Sequence, residues 1–214
     1  MRPFILLFTG LLLQGCSASQ QSVVETFRTA AAGDRDITLS DEQIQSLPYS
    51  SMYLRLNEGQ QIFVVLGYIE QGQSKWLTQD HAMIVTRNGR VLKTIGLHSN
   101  LLDVSNVQLD PLSRPLNLEN GMSWRREIRW SEDDRLRSAT LTSQFISAGE
   151  ATLNIAGNRI HSHIWHENVR SEWPALTWQN TFWVDVATGQ VRRSQQMMGA
   201  GVMPAEMTIL KPVL

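Results

Sequence analysis

From Tyr49 to the C-terminus, apolar and polar residues alternate with a period of two, broken every eight to twelve positions by Gly, Asn, Asp or Pro. That spacing is incompatible with a helical bundle and specifies short strands joined by tight turns. Residues 51–56 and 61–70 flank Asn57-Glu58-Gly59, and residues 82–86 and 91–97 flank Arg87-Asn88-Gly89-Arg90; both are hairpin signals, the second the stronger because Asn-Gly suits a primed turn. Ile62 to Leu66 leaves no polar face, so that strand is expected to be covered on both sides. In Trp124 to Trp130, Trp124, Ile128 and Trp130 share one face while Arg125, Glu127 and Arg129 share the other. Further strands are predicted over 138–147, 151–155, 158–168, 178–186, 191–198 and 206–210, with 101–118, which contains Pro111 and Pro115, as a connecting loop. Short turns imply antiparallel neighbours. The expected fold is therefore all-β and mainly antiparallel: a large meandering curled sheet or half-barrel of nine to eleven strands.

One or two short helices precede the strands. Val23, Val24, Phe27, Ala30 and Ala31 recur at helical spacing before Gly33, and Ser40-Asp41-Glu42-Gln43 is a capping box stopped by Pro48. These helices are expected to cover part of the concave face.

The N-terminus carries a different signal. Arg2, an apolar run from Phe4 to Leu13, and Gly15 before Cys16 read as an export leader too short to span a bilayer. Cys16 is the only cysteine in the chain, so it has no disulfide partner. Its position immediately after the cut is what lipoprotein processing requires: the thiol takes a diacylglycerol and the freed amine a third acyl chain. Each buried methylene contributes roughly 0.8 kcal/mol, and two chains already anchor stably. Residues 1–15 are thus read as a lipoprotein signal peptide, Cys16 as the lipidation site, 16–21 as a tether and 22–214 as one β-rich domain. Ser17, where an aspartate would retain the protein at the inner membrane, predicts outer-membrane attachment facing the periplasm.

The formal net charge is −1 and charged residues are 18% of the chain, against roughly 25% for an average globular protein. No basic stripe marks a nucleic-acid partner; the membrane is reached through the lipid.

His161 and His163 share a strand face and His166 faces away, with no further ligand at a telling spacing, so no metal and no cofactor are predicted. Glu132-Asp133-Asp134 reads as a solvated turn. Asp80, Asp103, Asp110 and Asp185 are isolated, although a polysaccharide-modifying enzyme would need an acid pair converging in a cleft. No Gly-x-Ser-x-Gly, P-loop or dinucleotide fingerprint occurs. The seven tryptophans are core material first. Trp173, beside Pro174 in a predicted loop, is the candidate for stacking on a glycan. In Phe182 to Val191, Asp185, Thr188 and Gly189 make a structural turn.

Leu47 to Arg55, Trp76-Leu77, Asn88 to Leu97 and the Phe182–Val191 hairpin, taken together, resemble the YjbF/GfcB family of lipoproteins associated with group 4 capsule and exopolysaccharide loci. The resemblance runs from the lipobox to the C-terminus, with Gln14 as its one departure. It implies an accessory, non-catalytic role in making or exporting surface polysaccharide, through glycan or through secretion proteins. A carrier of lipids or lipoproteins with an apolar half-barrel cavity is the alternative from another class.

Overall fold

The computed structural model describes residues 36–213. Among these residues one α-helix, α1 (Asp41–Ser46), precedes twelve strands: β1 (Ser51–Leu56), β2 (Gln61–Glu70), β3 (Gln73–Leu77), β4 (Met83–Arg87), β5 (Arg90–Ile95), β6 (Leu101–Val104), β7 (Ser123–Glu132), β8 (Arg135–Ile155), β9 (Asn158–Ser171), β10 (Leu176–Asp185), β11 (Val191–Met197) and β12 (Pro204–Lys211). All twelve form one antiparallel sheet in the order β5-β4-β3-β2-β1-β12-β11-β10-β9-β8-β7-β6. Read as a circle, every strand pairs with its sequence neighbours and β1 pairs with β12. The one ladder missing is between β5 and β6, so the sheet is an up-and-down barrel left open along a single seam.

Side chains bridge that seam. Thr94 Oγ1 on β5 accepts from the Leu101 amide of β6 at 2.9 Å. Asn100, just before β6, reaches back through its Oδ1, which accepts from the Leu97 amide at 3.1 Å and from Thr94 Oγ1 at 3.2 Å. At the start of β5, Gln196 of β11 accepts from the Val91 amide at 3.1 Å and donates to the Gly89 carbonyl at 2.9 Å. Backbone groups that a closed barrel would satisfy by pairing are here satisfied by side chains.

Alternation puts two apolar clusters inside. The larger includes Met52, Leu54, Val64, Trp76, Trp124 and Met207; the smaller includes Leu112, Phe145, Trp165, Phe182 and Val184. Each such side chain, once buried, contributes about 1.5–3 kcal/mol. Outward positions of β7 carry Arg125, Glu127 and Arg129, all exposed, the reverse of a lipid-facing barrel wall.

Three expectations are corrected. Residues 101–118 are not all loop: Leu101–Val104 forms β6, paired only with β7, and Pro111 and Pro115 each open a short 3₁₀ turn. The separate strands expected at 138–147 and 151–155 are one strand, β8, whose register shifts between Ser147 and Glu150 around Gly149, at φ +91°; the bulge bends the strand without ending it. Residues 37–47 do not cover the concave face. The Leu39 amide donates to the Tyr53 hydroxyl at 2.6 Å, and Tyr53 meets Phe63 edge to face, on the side of β1 and β2 opposite Met52 and Leu54. Phe63 and Val64 are both buried, so β2 is covered on both sides as expected.

The capping box at α1 forms as read: Ser40 Oγ accepts from the Gln43 amide, and Gln43 Oε1 accepts from the Ser40 amide. The leader over 1–15, Cys16, the tether and the helix expected over 23–33 lie outside the described residues.

Candidate functional site

The barrel interior is occupied by a charge network centred on Glu167 of β9, which is fully buried. Its Oε2 accepts from Arg90 Nη1 of β5 at 2.6 Å and from Asn180 Nδ2 of β10 at 2.8 Å. Its Oε1 accepts from Ser143 Oγ of β8 at 2.7 Å and pairs with Arg126 Nη1 of β7 at 3.0 Å. Arg90 Nε donates to Asp110 Oδ2 at 2.9 Å, and Asp110 in turn caps the following 3₁₀ turn through the Leu112 amide. Two guanidiniums thus meet two carboxylates; the Glu167 carboxyl ties β5, β7, β8 and β10 to its own strand β9, and Arg90 adds the loop that carries Asp110. The rings of the two clusters complete the cage: Arg90 lies 4.9 Å from the Trp124 centroid and 4.8 Å from Phe182, and Arg126 lies 4.1 Å from Trp124.

Burial alone would raise the Glu167 pKa, but the charges of Arg126 and Arg90, with hydrogen bonds from Arg90 and Asn180, outweigh it and hold the carboxyl down at about 2. Arg126 is pushed down to about 10, first by burial and also by the Arg90 charge, against the pull of Glu167; it remains charged at neutral pH. Burial pulls Arg90 down as well, yet Asp110 and Glu167 together raise it above its ordinary value. Asp110 and Glu167 meet through Arg90, which donates to both, rather than across an open cleft of the kind a polysaccharide-modifying enzyme would need. Glu167, sealed from solvent and deprotonated at neutral pH, has no proton to donate.

At one end of the barrel a cavity of about 420 Å³ remains, within the size range of small-ligand sites. Its walls are the Asn88-Gly89 turn, the turn before β11 and the 3₁₀ segment Arg114–Asn117; Trp76, Met207 and Ile209 also line it. The β10–β11 turn is built as the sequence implied. Asp185 Oδ1 accepts from the Ala187 amide, its Oδ2 from Thr188 Oγ1, and its carbonyl from the Gly189 amide, with Gly189 at φ +73°. Gly189 approaches Leu116, and Gly89 lies against Val191, so the three walls are in contact.

The other predicted residues are spread out. Trp173 is 82% exposed in the β9–β10 loop, whereas Trp76, Trp124, Trp130 and Trp165 are buried. His163 stacks on Trp165 at 4.8 Å between centroids and contacts Ser147 Oγ at 2.6 Å; His161 lies beside Thr152. Asp133 and Asp134 form the β7–β8 turn, both at positive φ.

The profile of the family described as group 4 capsule polysaccharide lipoprotein, gfcB and YjbF, matches residues 24–210. The chain belongs to this lipoprotein family. An uncharacterized lipoprotein GfcB of Escherichia coli (strain K12) is 61% identical over 212 residues, 99% of each chain. A second, the uncharacterized lipoprotein YjbF of the same strain, is 38% identical over 210 residues, 98% of this chain and 97% of the relative. The crystal structure of the hypothetical lipoprotein YmcC from Escherichia coli (K12) is similar with a TM-score of 0.82 at 56% identity, covering 94% of this chain and 99% of that one. Among the described residues of this family member, no helix is long and apolar enough to cross a membrane.

Arg90, Arg126 and Glu167 were not singled out from the sequence. A signal was there for Arg126: it shares the parity of Trp124, Ile128 and Trp130, so a charge stands on a face otherwise read as core. Glu167 likewise sits midway between Trp165 and Val169. A charge at an inward position requires a partner, but the partner's identity needs the fold.

Proposed function

We propose that this lipoprotein has an accessory, non-catalytic role in the production or export of a surface polysaccharide, anchored to the outer membrane and facing the periplasm. In this reading residues 1–15 are removed, Cys16 carries the lipid, 16–21 are a tether and 22–214 are a single β-rich body. Membership of a family described by capsule polysaccharide supports the polysaccharide context. The observation that supports the non-catalytic part is the Glu167 network, whose buried charges are paired with one another; the loops and the end cavity are then the surfaces proposed to bind glycan or secretion proteins. Trp173, with its exposed ring, is the proposed stacking residue for a sugar.

The test is genetic and gravimetric. Deleting the gene is expected to lower secreted polysaccharide, with recovery by the intact gene and not by Cys16→Ala. Unchanged polysaccharide under inducing conditions would overturn the role. Metabolic labelling with a palmitate analogue is expected to mark the intact protein, and label on Cys16→Ala would overturn the anchor.

A further inference from the structure

The end cavity combines features that the fold itself does not require. Asn88, Arg114, Asn117 and Gln190 line it, and none of these four side chains makes a hydrogen bond or ion pair with another described residue. Three carry amides and one a guanidinium, while no acidic side chain is among the described lining residues. The lining also holds apolar atoms, of half-buried Ile209 and of the buried Trp76 and Met207. The heads stand on backbone that cannot shift easily: the Asp185-anchored turn holds Gln190, and the Gly89–Val191 contact holds Asn88. The backbone that carries Asn88 and Gln190 is thus fixed, while all four polar side chains are exposed to solvent.

We propose that this cavity binds a sugar unit bearing an acid group. The proposal deepens the polysaccharide reading above and rests on it. An apolar lining suits the C–H face of a pyranose, planar amides suit vicinal hydroxyls, and a lone guanidinium without a carboxylate neighbour suits a carboxylate or phosphate substituent. Three amides to one cation favour a hydroxyl-rich ligand over an acidic peptide, which would call for more positive charge.

The experiment uses the full lipidated protein, isotopically labelled in detergent, and follows the amide resonances of Gly89, Gly189 and Gln190. A disaccharide of glucuronic acid and glucose is the probe, with cellobiose, an aspartate-rich peptide and inorganic phosphate as comparisons. The acidic disaccharide is expected to shift these resonances with an affinity about tenfold above cellobiose, and Arg114→Ala is expected to abolish that difference. Arg114 is exposed, so the variant should fold, which an otherwise unchanged spectrum verifies. Equal binding of both disaccharides, or no binding of either, overturns the proposal; so does equal or stronger response to the peptide or to phosphate alone. If the sugar fails to bind but gene deletion lowers polysaccharide, the subsite falls and the secretion role stands. If the sugar binds and deletion leaves polysaccharide unchanged, that role falls instead.

Discussion

The Arg90 guanidinium donates to the Glu167 carboxylate at 2.6 Å, joining residues 77 apart in sequence across the inside of the barrel. Arg90 begins an edge strand and Glu167 lies in a central one, so this contact locks a strand with an unpaired side to the middle of the sheet. Truncation should therefore be costly. Glu167→Ala leaves two buried guanidiniums short of a partner and is expected to destabilise the fold by about 3–5 kcal/mol. Urea unfolding of the variant measures this, and a loss below about 1 kcal/mol would show that water replaces the carboxylate.

The same carboxyl sets the acid limit. Its folded pKa of about 2 lies below the ordinary value of 4.5, so its contribution is complete above pH 4.5 and is lost as pH falls towards 2. Roughly 3 kcal/mol should disappear across that window. Unfolding free energy measured from pH 6 down to pH 2 is expected to show this slope in the native chain and a shallower one in Glu167→Gln.

Gln196 substitutes for a strand neighbour by bonding both Val91 N and the Gly89 carbonyl. Gln196→Leu keeps the bulk and orphans both groups, at an expected cost of about 1–3 kcal/mol. Hydrogen exchange should locate the effect, with the Val91 amide losing protection before amides in β9 do.

Gly89 sits at φ +78°, and an added Cβ would fall 2.4 Å from that of Val191. Gly89→Ala combines backbone strain with a clash against branched side-chain atoms, so it should lower stability by more than about 1 kcal/mol. Thermal unfolding checks the loss, and Val191→Ala in the same chain should recover part of it.

Trp173 separates binding from folding. Because its ring is 82% exposed, Trp173→Ala should change stability by less than about 0.5 kcal/mol. If the ring stacks on sugar, the fluorescence change on adding polysaccharide should shrink in the variant; an unaltered titration would assign that signal to another tryptophan.

What could be read in advance follows from how locally each feature is encoded. The hairpins at Asn57–Gly59 and Asn88–Gly89, the α1 capping box and the Asp185–Gly189 turn all depend on residues within a few positions of one another, and all form as expected. β6 escaped because four residues before a proline-containing loop give alternation little length to show itself. The single run of β8 was hidden by Gly149, which looks like a turn but makes a bulge. The Glu167 network was illegible for a deeper reason: its members come from β5, β7, β8, β9, β10 and the 105–122 loop, and only the curled sheet brings them together.

The pairing of β1 with β12 joins Ser51 to Lys211, nearly the full span of the described chain. A ribosome or translocon delivers the N-terminal half first, and β1 must then wait with one side unsatisfied until the last strand emerges. Completion of the shell is consequently tied to arrival of the final few residues. A chain cut short there would present exposed sheet edges, visible to proteases as an unfinished molecule.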